Sequence, residues 1–231
     1  MKHNSFFVRA AVLTVATLLF RAVPAQAGPP LICHTIDIGS AKSLPWISHD
    51  WNLSGTENYD TSKLAADTVA ILDGNASVLV HMETLRRATL YARRDSRAAK
   101  ELLTKLVARA NNADSAGHAD GLARFDAGYL AEAYGQWLGK EQNPARGLDG
   151  YAWVKQAISL RGNDPEMEFA AALITLSGPA AEHRAHVQKA IAGAKTDPLL
   201  ARNLTSRFIG PQTQTIAELF NHDVPPSKVQ P

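Results

Sequence analysis

The chain has 231 residues, of which 45% are hydrophobic and 20% charged, with 24 Lys and Arg against 22 Asp and Glu. This composition excludes a collagen-like repeat, a disulfide-rich miniprotein and a wholly disordered charged tail. The length is sufficient for one domain, or two small ones, with a sizeable apolar core.

The first 27 residues are typical of a secretory signal peptide. Lys2 and Arg9 give a basic start, an apolar run over residues 10–20 follows, and an Ala-Gln-Ala tripeptide supplies the cleavage pattern. The apolar run rises only about 16 Å as a helix, which is too short to span a membrane. We therefore expect cleavage after Ala27 and an exported, periplasmic or extracellular protein without a membrane span.

Removal of this leader changes the charge balance. It takes away Lys2, Arg9 and Arg21 and no acidic residue, so 204 residues remain with 21 basic against 22 acidic side chains. The resulting formal charge of −1 gives no electrostatic reason to expect a nucleic-acid partner.

Residues 28–60 differ from the rest of the chain because Pro and Gly interrupt any helical pattern there. We expect an extended or looped N-terminal segment, and we predict four buried anchors in it: Ile36, Leu44, Trp46 and Trp51. The β-branched run at 32–38 also fits a short strand, although the sequence shows no second strand to pair with it.

From residue 61 onward apolar residues recur at three- and four-residue steps, which indicates helices. The predicted helices cover 64–72, 76–94, 96–110, 122–138, 151–160, 165–176, 180–195 and 198–208, with a further short one at 213–220. Residues 111–117 are predicted to be a polar connection. The sequence thus predicts an all-α domain over 61–221, about eight helices in antiparallel hairpins, and a disordered tail over 222–231.

The later helices contain an internal repetition. Ala-Ile at 157–158 precedes Asp-Pro at 164–165, as Ala-Ile at 190–191 precedes Asp-Pro at 197–198, with an offset of 33 residues. A period of about 33–34 residues is typical of stacked helical hairpins, and an irregular bundle is the alternative.

These two units, together with the stretch Phe125-Asp126-Ala127-Gly128-Tyr129-Leu130-Ala131-Glu132-Ala133-Tyr134, resemble tetratricopeptide-like helical repeats over about residues 80–208. The resemblance implies a solenoid of helical hairpins. Through residues 31–34, 39–46 and 82–88 the chain is also similar to a group of exported bacterial proteins, which implies export and carries over no activity.

Cys33 and His34 are the first candidates for a chemical role, because a thiolate beside an imidazole can bind metal or act as a nucleophile. Adjacent residues of an extended segment point to opposite sides, however, and a single Cys forms no intramolecular disulfide. With His49, these residues define the alternative hypothesis, an enzyme or a metal- or cofactor-binding protein that uses the N-terminal segment.

Five arginines, which fall on successive helical turns, form the basic cluster of the chain: Arg86, Arg87, Arg93, Arg94 and Arg97. The first four are candidates for contact with an anionic surface. Acidic residues are interleaved with them, which favours a solvated and partly paired face.

Other motifs point to structure rather than chemistry. His183 and His186 share one helix face, but no second ligand cluster accompanies them, and His81 is expected to make a surface or capping contact near a helix start. The aromatic stripe at 125–137 is more typical of a core than of a ligand groove.

No catalytic, cofactor or metal site is complete in the sequence. The pattern therefore favours an exported, non-enzymatic helical module that binds a protein or peptide or acts as a scaffold, with no cofactor.

Overall fold

A computed structural model of the protein describes residues 28–47, 53–54, 56–74 and 77–209. The predicted signal peptide, the predicted helix at 213–220 and the predicted tail at 222–231 lie outside these ranges. So do two residues singled out in the N-terminal segment, His49 and Trp51.

All regular structure in the described residues is helical, which confirms the all-α class. Eight α-helices follow a 3₁₀ turn at Thr61–Lys63: α1 (Leu64–Asp73), α2 (Val78–Ala92), α3 (Ser96–Ser115), α4 (Gly121–Trp137), α5 (Gly150–Leu160), α6 (Pro165–Ile174), α7 (Ala180–Ala194) and α8 (Pro198–Leu204). A 3₁₀ turn at Thr175–Ser177 follows α6, and a π-helical turn at Thr205–Ile209 follows α8. None of the helices in the described part is long and apolar enough to cross a membrane.

Aspartate side chains cap five of the eight helices, because a carboxylate can accept the N–H groups that a first turn leaves unpaired. The capping residues of α3, α4, α5, α6 and α8 are Asp95, Asp120, Asp149, Asp164 and Asp197. Proline occupies the first position of α6 and of α8, where its missing N–H costs nothing. Both Asp-Pro pairs of the internal repetition therefore start a helix in the same way, with Asp as the N-cap and Pro as the first helical residue.

Helix α2 lies at the centre of the fold. Fourteen of its 15 residues are buried, and it contacts α1, α3, α4 and α6. Helices α4 and α5 pack as one pair and α6 and α7 as another, with α8 against α7. The contact between α2 and α6 favours the bundle alternative, because the repeats of a solenoid contact only their neighbours.

Glycines allow α4 and α5 to approach closely. A Cβ atom at Gly128 would lie 2.7 Å from the carbonyl oxygen of Gly150 and 2.8 Å from the Cβ of Trp153. The two backbones are therefore in direct contact at this crossing.

Two helix ends differ from the predicted ones by four residues or more. Helix α3 continues through the predicted connection to Ser115, whose hydroxyl donates to the carbonyl of Asn111 at 2.9 Å, and the chain turns at Gly117 with φ at +81°. The last turn of α3 is mostly polar, so the apolar pattern from which the helices were predicted does not extend over it. Helix α8 ends at Leu204, four residues earlier than predicted, where the π-helical turn begins.

The described residues 28–47, called the strap below, contain neither helix nor strand. The β-branched run at 32–38 forms no strand, and the strap packs on helices instead of on another strand. Leu31, Ile32, Ile36 and Leu44 are its buried anchors, and Trp46 is half-buried against the core.

Candidate functional site

A fully buried carboxylate on α2 organises the contact between the strap and the helices. Glu83 accepts hydrogen bonds from Arg86 Nε at 2.8 Å, from Arg86 Nη2 at 2.9 Å and from Arg87 Nε at 2.7 Å. It also accepts the backbone N–H of Ile36, on the strap, at 2.9 Å. These four bonds satisfy both carboxylate oxygens and offset the cost of burying the charge.

The same two arginines reach from this carboxylate to carbonyl groups of the strap. Arg86 Nη1 donates to the carbonyl of Ile32 at 3.1 Å, and Arg87 Nη1 donates to the carbonyl of Leu44 at 2.6 Å. The ring of Trp46 lies over both guanidinium groups, 4.5 Å from Arg86 Cζ and 5.5 Å from Arg87 Cζ.

Polar side chains of α2 and α4 bind the two ends of the strap. The hydroxyl of Tyr91, on α2, donates to the carbonyl of Pro45 at 2.5 Å. The side-chain oxygen of Gln136, on α4, accepts the backbone N–H of Leu31 at 2.9 Å.

Helix α8 holds the middle of the strap. The amide of Asn203 accepts the backbone N–H of Asp37 at 2.8 Å and donates to its carbonyl at 2.9 Å. Arg202 Nε donates to the Asp37 carboxylate at 2.8 Å, and Arg207 Nη2, in the turn after α8, donates to the carbonyl of His34 at 3.1 Å. The bond from Arg202, with the N–H of Gly39, holds the pKa of Asp37 below its usual range.

Together these side chains form a surface on α2, α4 and α8 that we call the groove. Eight hydrogen bonds of 3.1 Å or shorter run from groove side chains to backbone groups of the strap. Most of these residues were not predicted from the sequence. The available signal was Glu83 itself, an acid three and four residues before two arginines in a helix that is otherwise mostly uncharged.

Cys33 and His34 lie side by side on the strap. Cys33 is half-buried, and burial raises the pKa of its thiol more than the nearby Arg207 and Arg86 lower it. Desolvation and the same two arginines lower the pKa of His34. The arrangement disfavours both the thiolate and the imidazolium.

The four candidate arginines separate into two pairs. Arg86 is only 1% exposed and Arg87 is largely buried, so the expected solvated basic face does not exist over this part of α2. Arg93 and Arg94 are exposed at its end, and Arg93 lies over the ring of Trp137 at 4.7 Å.

The prediction for His81 is also wrong. Its side chain is buried, with Nδ1 2.6 Å from Asp126 Oδ1, and Arg109 Nη1 lies 3.5 Å from the other oxygen of that carboxylate. Burial raises the pKa of Asp126, and His81 and Arg109 oppose that shift. This cluster joins α2, α3 and α4 inside the protein.

The remaining predicted features are placed as follows. Phe125, Tyr129 and Tyr134 are buried in the core, as the aromatic stripe indicated. Within the described residues no group of three or more His, Cys, Asp or Glu side chains could hold a metal ion.

Comparison with known proteins gives no match: no family model, no curated protein and no solved structure matches this chain. The tetratricopeptide-like resemblance therefore stays a prediction from the sequence. The groove and its contacts are the basis for inferring a function.

Proposed function

We propose that the protein is a binding module that holds a non-helical peptide segment of a partner protein in the groove on α2, α4 and α8. The observation that supports this is the strap itself, a segment without helix or strand that is held there by eight hydrogen bonds to its backbone. Backbone contacts provide affinity without selecting particular side chains, so the same groove can hold another segment of similar backbone shape.

Side-chain contacts of the strap indicate which peptides fit. Leu31 and Ile32 are adjacent buried anchors, and Ile36 is a third. The carboxylate of Asp37 pairs with Arg202. A fitting partner segment therefore has two adjacent apolar residues, a third apolar residue four positions after the second, and an acidic residue directly after it.

The strap competes with such a partner because it belongs to the same chain. A tethered segment has an effective concentration on the order of millimolar. A free peptide of micromolar affinity then gains little access to the groove unless the strap is weakened. In this proposal the strap is an internal competitor that sets the partner concentration needed for binding.

The test is to weaken the strap while the groove stays intact. Ile36→Asp places a charge at a buried position whose backbone N–H already faces the Glu83 carboxylate. A fluorescent peptide of the sequence of residues 28–47, with Ser in place of Cys33, is titrated into the full-length variant and followed by anisotropy. We expect it to bind roughly tenfold or more tightly than to the wild-type chain.

Two controls make the result specific. Lys42→Ala changes an exposed strap residue and should leave peptide affinity at the wild-type level. Adding Asn203→Ala to Ile36→Asp removes the amide that holds Asp37, and it should abolish the gain. Circular dichroism confirms that each variant keeps its helices; a folded Ile36→Asp variant with no gain in affinity contradicts the proposal.

A further inference from the structure

A second cluster of titratable groups lies between α5, α6 and α7, away from the groove. Glu168, on α6, is fully buried, and its Oε2 lies 2.5 Å from His186 Nδ1. His186 Nε2 lies 2.7 Å from the hydroxyl of Tyr151, on α5, and that hydroxyl lies 2.7 Å from Glu182 Oε1. We call these four side chains the Tyr151 network.

Hydrogen counting constrains the protonation of this network. Each of its three contacts needs one hydrogen, because two lone pairs that face each other at such a distance repel. The phenol supplies one hydrogen and a neutral imidazole supplies only one more. A doubly protonated imidazole satisfies all three contacts, since Nδ1 donates to Glu168, Nε2 donates to Tyr151 and the hydroxyl donates to Glu182.

Two lysines face the same network. Lys189 Nζ, on α7, lies 2.9 Å from Glu168 Oε1. Lys155 Nζ, on α5, lies 3.7 Å from Glu182 Oε1 and 4.5 Å from the centre of the Tyr151 ring. Both lysines are half-exposed, so water screens them, whereas the carboxylates contact the imidazole and the phenol directly.

Glu168 and Tyr151 have the protonation states that this arrangement requires. Burial alone would raise the pKa of Glu168, but the hydrogen bonds from His186 and Lys189 outweigh it and hold that pKa below its usual value. Burial and the bond to Glu182 raise the pKa of Tyr151 well above its usual value, so the phenol keeps its proton. Glu168 is thus a carboxylate acceptor and Tyr151 a donor.

We propose that the imidazole of His186 is doubly protonated in the folded protein and forms a hydrogen-bonded lock that joins α5, α6 and α7. When the proton leaves, one of the three contacts loses its hydrogen, and Tyr151 must release either His186 or Glu182.

The test is a long-range ¹H–¹⁵N NMR spectrum of the intact protein at about pH 7.5, above the ordinary histidine value. We expect both ring nitrogens of His186 to carry protons. His183, one turn earlier on α7, gives the matched reference signal, because its Nδ1 lies 3.0 Å from the carbonyl oxygen of Ala172, outside the Tyr151 network. A singly protonated His186 overturns the proposal.

A variant tests whether the whole network, and not Glu168 alone, keeps His186 doubly protonated. Tyr151→Phe removes the hydroxyl that accepts from His186 and donates to Glu182. We expect His186 to lose its second ring proton at about pH 7.5 in this variant, with His183 unchanged. A doubly protonated His186 in folded Tyr151→Phe would show that the network is not needed; if the variant does not fold, the wild-type spectrum decides.

Discussion

Glu83 is a single buried charge on which two arginines and the strap depend. Replacing it with Gln keeps the shape but leaves the guanidinium groups of Arg86 and Arg87 without their carboxylate. Breaking a buried ion pair from one side costs about 3–5 kcal/mol, because the remaining charge stays buried. We expect Glu83→Gln to lower the free energy of unfolding by that amount, measured by urea denaturation.

An exposed pair on α3 provides the control. Glu101 lies 2.9 Å from Lys105, and both side chains are about half exposed. Glu101→Gln should cost less than about 1 kcal/mol, because water screens such pairs. Equal losses in the two variants would show that the Glu83 cluster does not hold the strap.

Asp37 connects the strap to α8 through a titratable contact. Its pKa is lowered from the ordinary 3.8 by the bonds from Arg202 and from the Gly39 N–H. The folded pKa is depressed, so the contact contributes stability above the ordinary value and loses it as pH falls through the folded pKa. Arg202→Gln should raise the Asp37 pKa in a carboxyl NMR titration; an unchanged value would place Arg202 away from the strap in solution.

Burial of charged residues was the part of the site that the sequence could not predict. Glu83 and Arg86 belong to residue types that are mostly exposed and His81 to a type of intermediate burial, and local spacing predicts only that such residues can pair. Their burial depends on the strap and on α4, which lie 45 or more residues away for two of the contacts. The sequence of a single helix carries no information about such distant partners.

At the scale of the elements, the crossing of α4 and α5 depends on Gly128. Gly128→Ala would push a methyl group into the Gly150 carbonyl, and overpacking of this kind costs about 1–3 kcal/mol. Gly135, on an exposed part of the same helix, has no atom within 4 Å of an added Cβ. Gly135→Ala should instead stabilise by about 0.5–1 kcal/mol, because alanine favours the helix.

Thermal or urea denaturation compares these two variants directly. Opposite signs are the expected result. Destabilisation by both substitutions would mean that the loss reflects helix α4 itself rather than its contact with α5.

The caps are a second element-scale test. Asp120 accepts the N–H groups of Leu122 and Ala123 at the start of α4. Asp120→Ala should cost about 1 kcal/mol of unfolding free energy, and Asp120→Asn much less, because an amide oxygen accepts the same bonds. Equal costs for the two variants would show that the charge, and not the cap geometry, is what matters.

Helices were predictable because their signals are local. Apolar steps of three and four residues placed α4, α5 and α6 close to their observed bounds. The strap was harder to predict, because the β-branched residues at 32–38 suit a strand. Its backbone groups are satisfied by side chains of distant helices instead, as Glu83 and Asn203 show.

At the scale of the whole molecule, the protein consists of the strap and of a helical body whose groove binds it. Helix α2 is enclosed by α1, α3, α4 and α6, and the strap contacts it as well. If the strap is an internal competitor, it must leave the groove while the helices stay folded. If it is simply part of the core, its release and global unfolding are the same event.

Native-state hydrogen exchange distinguishes these two behaviours most directly. The amides of Ile36 and Asp37 donate to groove side chains, and Leu85 lies fully buried in the middle of α2. We predict that the two strap amides exchange through a partial opening, at least about tenfold more often than Leu85, whose exchange reports global unfolding. Equal opening free energies at all three amides would contradict the account, because the strap could then not give way to a partner.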